Sequence, residues 1–348
     1  MRRIYLFAGI LCAALASRSQ ADAPKGLDIH FIDTEGGAAT LIVTPAGESV
    51  LIDCGNPGKR DAERIHKATE KAGLKQIDHL VITHWHGDHY GGIDRLATLI
   101  PIKAYYDHGI PDVLSEDKKG FAALIQPYKD FSKGKQKTLK PGDEIALKQT
   151  EGKPALKLFC LCGDGKVIAD KPDAPMNPIA KDHKAKPADT SDNARSLGFL
   201  LSYGDFRFLD LGDLTWNIEY NLVHPSDKIG LVDVYQVTHH GLDISNNPVL
   251  INTVKPRVAI CNNGARKGAA AFVISTLRRV EGIEAIYQLH KNLTVGEAEN
   301  TDAAFIANKE AECKGEGISL SVAADGKTYA VTVGSDGKAK EFKVRGSK

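Results

Sequence analysis

Residues 83–92 read Thr-His-Trp-His-Gly-Asp-His-Tyr-Gly-Gly, and no other stretch restricts the fold of this 348-residue chain as tightly. His84, His86, Asp88 and His89 fall within six positions, directly behind the mostly apolar run 77–82. That order predicts a buried strand with a metal-binding loop at its carboxyl end. Side chains two apart on extended backbone leave the same side, so His84 and His86 point together. Gly87 lets the chain turn and aim Asp88 and His89 at a neighbouring point. Neutral imidazole and carboxylate suit zinc, and iron or manganese also accept them. One small site cannot use all four groups with ordinary geometry. Two divalent ions a few ångströms apart can, one on His84 and His86, the other on Asp88 and His89.

The spacing His84-x-His86-x-Asp88-His89 resembles the signature of the metallo-β-lactamase fold superfamily. Gly91-Gly92 and the later His239-His240-Gly241 most resemble its ComEC-like and phosphorylcholine-esterase-like branch. The resemblance extends from about residue 27 to about residue 289. It implies an α/β (α+β) fold of the four-layer αββα sandwich type, with the ions along one edge. Ile52-Asp53-Cys54-Gly55 resembles the strand end whose aspartate backs a metal-binding histidine, which gives Asp53 that role. Asp210-Leu211-Gly212-Asp213 resembles the segment whose last aspartate bridges both ions, here Asp213. Thr238-His239-His240-Gly241 resembles the final ligand segment. His239, closer to the strand end, is favoured as the ligand, with His240 behind it or facing substrate.

One departure stands out. Many members of the superfamily supply a third histidine to the first ion about two dozen residues before the bridging aspartate. None occurs there in this chain, where His183 is 30 residues ahead of Asp213. Residues 189–196 occupy the place, and Asn193 resembles an asparagine found there in the ComEC-like branch. The first ion's ligands then read His84, His86 and Asp213, with water or Asn193.

Around this core the rest of the chain reads as alternating strands and helices. Strands are expected at 27–33, 40–44, 50–53, 77–83, 102–106, 155–161, 197–203, 206–211, 232–237, 258–261 and 285–289. Helices are expected at 59–72, 93–100, 116–131, 214–223, 245–254 and 269–280. Residues 163–192 form a long polar loop. Three strands beyond about residue 315 complete an edge of the fold or form a small appendage, and no linker separates them from one domain spanning 24–348. His30 and His79 read as structural, and His108 and His290 as rim residues.

Residues 1–23 read as a cleaved secretory signal. Arg2 and Arg3 precede the apolar run 4–16, and Ala21-Asp22-Ala23 supplies the cleavage pattern. The mature chain is therefore expected to be secreted or periplasmic, with no membrane span. Five cysteines remain after cleavage, an odd number that leaves at least one thiol unpaired, and most read as small buried hydrophobes. A formal net charge of +1 gives no sign of a nucleic-acid or membrane partner.

The chemistry expected is metal-assisted hydrolysis of a small-molecule substrate, an anionic one included, with Asp88, Asp213 and His240 as the catalytic group. A phosphoester or phosphodiester ranks first among substrates. A lactam, lactone or thioester is the alternative, and an exported metal-binding protein without catalysis the third reading.

Overall fold

Alternation sets the first strand. Leu27, Ile29 and Phe31 are buried, while Asp28 and His30 between them are partly open, as a strand with one face on a core requires. The computed structural model describes residues 26–310 and 312–346, so the expected signal segment lies outside it. In chain order the strands are β1 (Leu27–Phe31), β2 (Thr40–Val43), β3 (Ser49–Ile52), β4 (Ile77–Val81), β5 (Ile102–Asp107) and β6 (Gln136–Thr138). There follow β7 (Glu144–Ile145), β8 (Leu156–Gly163), β9 (Lys166–Val167), β10 (Gly198–Tyr203), β11 (Phe206–Asp210) and β12 (Val234–Gln236). The last are β13 (Val258–Cys261), β14 (Ala285–His290), β15 (Ile306–Asn308), β16 (Ile318–Val322), β17 (Thr328–Val333) and β18 (Lys340–Lys343). The α-helices are α1 (Lys59–Lys71), α2 (Gly87–Tyr90), α3 (Ile93–Leu99), α4 (Lys118–Ser132), α5 (Trp216–Asn221), α6 (Pro248–Val254) and α7 (Ala271–Arg278).

These strands make two sheets built on one plan. The first runs β18-β17-β16-β1-β2-β3-β4-β5-β6 and the second β15-β14-β13-β12-β11-β10-β8-β7, with β9 beside β8. Each joins an antiparallel meander to a parallel section: β3 to β6 in the first sheet, β11 to β15 in the second. Parallel neighbours need crossovers. Here α1, α2–α3 and α4 serve the first sheet, and α5, α6 and α7 the second. The segment beyond residue 315 pairs β16 with β1 and so extends the first sheet. The second sheet's β15 and the first sheet's short β6 were not expected from sequence. Both are three residues long, too short for a pattern to show.

Three apolar layers result. Phe31, Ile52, Val81, Leu201, Phe208 and Ile260 pack between the sheets. Leu41, Leu80, Ile82, Trp85, Leu96 and Phe121 pack between the first sheet and its helices. Leu209, Tyr235, Leu250 and Val273 do the same for the second. The architecture is therefore the αββα sandwich. Each large buried apolar side chain contributes about 1.5–3 kcal/mol relative to exposure. Both faces of each parallel section are covered, which is why β13 (VAIC) is buried at every position.

One polar tie crosses the middle layer. Thr40 Oγ1 donates to Gln236 Oε1 at 2.7 Å, and Gln236 Nε2 donates to Asp210 Oδ2 at 3.0 Å. It lies where the carboxyl ends of the parallel strands of both sheets approach each other, the usual place for ligand sites in such sheets. Cys54, Cys160, Cys162 and Cys261 are buried free thiols, and Cys313 is half-exposed and free. No helix among the described residues is long and apolar enough to cross a membrane.

Candidate metal centre

The loop after β4 is built by alternation. Leu80 and Ile82 point to the helix side. Trp85 lies fully buried there too, packed edge-on against Tyr90 and Tyr128 with centroids 5.3 and 4.8 Å away. Its indole Nε1–H donates to the Gly109 carbonyl at 2.8 Å. The rings of His84 and His86, either side of that tryptophan, meet edge-on at 4.7 Å. The short α2 that follows carries Asp88 and His89.

Behind the loop stands Asp53, at a positive φ of 61° just past β3. Its Oδ1 accepts the Thr83 N–H at 2.8 Å, and its Oδ2 lies 2.8 Å from Thr83 Oγ1 and 2.7 Å from His89 Nδ1. Thr83 Oγ1 also lies 3.1 Å from His84 Nδ1. The Nδ1 atoms of His84 and His89 are thus engaged from behind, which turns both Nε2 atoms forward.

The second sheet supplies the opposing wall. The N–H of Asp213, two residues past Leu211, donates to Ser196 Oγ at 3.3 Å. Asp213 Oδ2 lies 3.9 Å from His84 Nε2, 3.2 Å from His89 Nε2, and 3.3 Å from the Nε2 atoms of both His239 and His240. Four imidazoles from two sheets therefore face one carboxylate oxygen. His239 and His240 sit at φ 56° and 55°, a left-handed turn that lets adjacent residues aim at the same point. His239 Nδ1 is 3.0 Å from Ser245 Oγ, and His240 Nδ1 is 3.3 Å from the Asn262 carbonyl.

Two three-donor groups emerge: His84, His89 and Asp213, and Asp88, His89 and His240. Two placements differ from the sequence expectation. The first is His86, expected to pair with His84 on the first ion. Its ring adjoins His84, but its Nε2 lies 3.3 Å from Glu116 Oε1, because it leaves extended backbone at the rim beside the start of α4. The second is the 239–240 pair. His240, rather than the favoured His239, joins Asp88, with Nε2 3.4 Å from Asp88 Oδ2 and 3.3 Å from His89 Nε2. His239 stands on the far side of Asp213.

Residues 189–196 do reach the site, chiefly through Asp192. Its Oδ2 accepts the Trp85 N–H at 2.7 Å and lies 3.0 Å from His108 Nε2. The Asp192 N–H donates to Glu116 Oε1 at 2.6 Å. Asn193 is buried, and its Oδ1 has no hydrogen-bond partner. Thr83, Glu116, Asp192, Ser245 and Lys267 were all missed by sequence reading. Thr83 and Ser245 adjoin recognised motifs, but nothing marks Lys267, whose ammonium pairs with Asp88 Oδ2.

The electrostatics fit a cation. Burial, reinforced by His89, holds His84 well below its ordinary value, and burial pushes His239 down to about 4. Both are neutral imidazoles near pH 7, the form that binds metal. Burial opposes charge on His89, but the carboxylates of Asp213, Asp53 and Asp88 outweigh it and hold that ring well above its ordinary value. His240 is raised against its burial by Asp213. Burial would raise Asp213, yet His239, His240 and His89 hold it well below the usual carboxylate range. The surrounding carboxylates thus favour positive charge at His89 and His240, the charge a divalent ion would supply. His84 Nε2, buried without a hydrogen-bond partner, is an orphaned donor atom of the kind an ion satisfies. The residues present fit such ions.

An αββα sandwich with imidazoles and carboxylates gathered at one edge defines a metal-binding class of protein. Residues 32–157 match the family model for the metallo-beta-lactamase superfamily. Among curated relatives, a ribonuclease Z from Clostridium tetani is 36% identical over 116 residues, covering 29% of this chain and 34% of that protein. A UPF0173 metal-dependent hydrolase from Cupriavidus metallidurans is 31% identical over 109 residues, covering 30% of this chain and 34% of that protein. The lactamase-like protein notP of an Aspergillus species is 34% identical over 81 residues, covering 23% of this chain and 25% of that protein. The chain thus spans about a third or less of the length of each of these relatives.

Proposed function

We propose that this chain is an exported metal-dependent hydrolase, with two divalent ions at the Asp213 centre and a phosphoester or phosphodiester as substrate. The observation that carries the reading is the convergence of His84, His89, His239 and His240 on Asp213 Oδ2 within 3.2–3.9 Å. Buried clusters of such groups are costly unless something neutralises them. His84 and Asp213 would hold one ion and Asp88 and His240 the other, with the single free nitrogen of His89 serving one of them and His86 and His239 as the remaining imidazole donors. Zinc suits this donor set, and iron or manganese is also compatible. Bound ions there supply Lewis acidity and lower the pKa of water from about 15.7 toward about 7.

The protein's own residues do the rest. Asp53 and Thr83 fix the forward-facing tautomers of His89 and His84. Asp88 joins His89 of the first sheet and His240 of the second to Lys267, and that ammonium favours a substrate carrying negative charge. His240, whose Nε2 reaches both Asp88 and Asp213, would serve as an ion donor held in place by the Asn262 carbonyl at its Nδ1. The missing third histidine and the ammonium beside Asp88 favour phosphorus over a lactam carbonyl, as does the similarity to a protein named ribonuclease Z. They accord with the ComEC-like or phosphorylcholine-esterase-like branch.

A chromogenic phosphodiester, a thioester, a lactone and nitrocefin are offered to the metal-loaded protein with and without chelator. Chelator-sensitive turnover of the phosphodiester is expected. Turnover of the thioester or lactone alone replaces the substrate class, and tight metal content with no turnover on any of them overturns the hydrolase. Export rests on residues 1–23. Amino-terminal sequencing of protein recovered outside the cytoplasm should begin at Asp22 or Pro24, and a retained Met1 would sink it.

A further inference from the structure

A second cluster of metal-ligand type lies apart from the Asp213 centre. Asp33 follows β1 in the first sheet, His290 ends β14 in the second, and Cys313 lies on the segment that crosses from β15 to β16. Asp33 Oδ1 is 2.7 Å from His290 Nε2, and Asp33 Oδ2 accepts from Cys313 Sγ at 2.8 Å. Cys313 Sγ and His290 Nε2 are 3.9 Å apart. We propose that Asp33, His290 and Cys313 form a separate structural site for one thiophilic divalent ion, zinc by preference, that clips the two sheets together.

The donor set is a carboxylate, an imidazole and a thiol, which is zinc chemistry. Tetrahedral zinc with ligands at about 2.0–2.3 Å holds its donors about 3.3–3.6 Å apart. The sulfur–nitrogen separation is slightly wider than that and the two separations involving the carboxylate slightly narrower. Shifts of well under an ångström would seat an ion where the two hydrogen bonds now run. On binding, the Cys313 proton leaves to solvent and the His290 proton sits on Nδ1, so the ion faces a thiolate, a neutral imidazole and a carboxylate. Water completes the fourth position, since Cys313 is half-exposed.

Charge balance agrees. Arg64 lies 3.1 Å from Asp33 Oδ2 and 3.0 Å from Glu35 Oε1, and Arg60 joins Glu35 and Asp61. Three carboxylates against two guanidiniums leave one negative charge, and ionised Cys313 makes two. A divalent ion cancels both. Arg64 can keep its Glu35 partner while Asp33 turns an oxygen to the ion. Burial, helped by the Asp33 carboxylate, pushes the Cys313 thiol up to about 12, so without an ion it is no nucleophile.

The test uses the purified full-length mature protein, stripped with chelator and titrated with cobalt(II). The Asp213 centre has no cysteine in either donor group, so sulfur-to-cobalt absorption in the near ultraviolet reports only the second site. Wild type is expected to show that band and to bind one equivalent more than Cys313→Ser, which lacks it. His84→Ala should lose ions from the Asp213 centre and keep the band, which separates failure of one site from failure of the other. His290→Gln, a second variant at a different element, should also lose the band. A wild type without the band, or a band that survives Cys313→Ser, overturns the proposal and leaves a hydrogen-bonded clip.

Discussion

The two walls of the Asp213 centre are assembled differently. The wall from the first sheet is one continuous loop: His84, His86, Asp88 and His89 follow a single strand, with Thr83 at its base and Asp53, from the end of β3, behind it. The wall from the second sheet is collected from separate strand ends: Asp213 past β11, His239 and His240 past β12, Lys267 past β13. Its residues are braced by the Ser196 hydroxyl, Ser245 and the Asn262 carbonyl. The comparison teaches a sharing of donors. Each candidate ion position draws donors from both walls, His84, Asp88 and His89 from the first and Asp213 and His240 from the second.

That sharing can be broken from either side. Asp213→Ala removes the carboxylate on which four imidazoles converge. We expect activity to fall by about 10³-fold or more, the scale of losing a principal electrostatic group, with reduced metal content by elemental analysis. Activity within tenfold of wild type would show that the second wall is dispensable. On the first wall, Trp85→Ala empties a fully buried indole site and should cost about 3–5 kcal/mol, read as a lower urea midpoint. Asp53→Ala tests bracing without touching an ion directly. It should weaken metal affinity by about 10–100-fold in chelator competition while leaving the fold intact. Lys267→Ala should raise KM for an anionic substrate about tenfold, about 1.4 kcal/mol, with a smaller change in kcat. An equal loss on a neutral substrate would remove substrate charge from the argument.

The smallest effect concerns the tie between the walls. Burial opposes ionisation of Asp192, but His108 and the Trp85 N–H outweigh it and lower its pKa below the ordinary 3.8. A depressed carboxyl stabilises the fold above its unfolded value, and that contribution disappears as pH falls through the folded value. The stability advantage of wild type over Asp192→Asn should therefore be about 1 kcal/mol near pH 6 and disappear as the pH falls through the depressed folded value. An advantage independent of pH would assign the effect to shape rather than charge.

The same contrast explains what could be read in advance. The metal loop was legible because its spacing, its glycine and the apolar strand before it are local. Strands alternating with helices suggest two packed sheets with helices outside, the αββα sandwich itself came from the resemblance, and β4, α1 and α7 fall within a few residues of the expected limits. Asp213 and the 239–240 pair were legible only through resemblance. The pairing of His86 with Glu116, and of His240 rather than His239 with Asp88, depends on left-handed backbone and on residues up to 152 positions apart. Lys267 and the Asp33–His290–Cys313 cluster have no local pattern at all.

Sequence by itself determined the strand that ends in ligands, the residue types that can hold a divalent ion, and the layer order that buries three apolar faces. Periodicity and side-chain chemistry are properties of neighbours along the chain, so a linear text carries them. Tertiary structure decided which nitrogen faces which carboxylate, because Asp213 Oδ2 meets His84, His89, His239 and His240 only after two sheets have packed. Charge–charge and hydrogen-bond energies turn on separations of a few tenths of an ångström, and packing alone sets those.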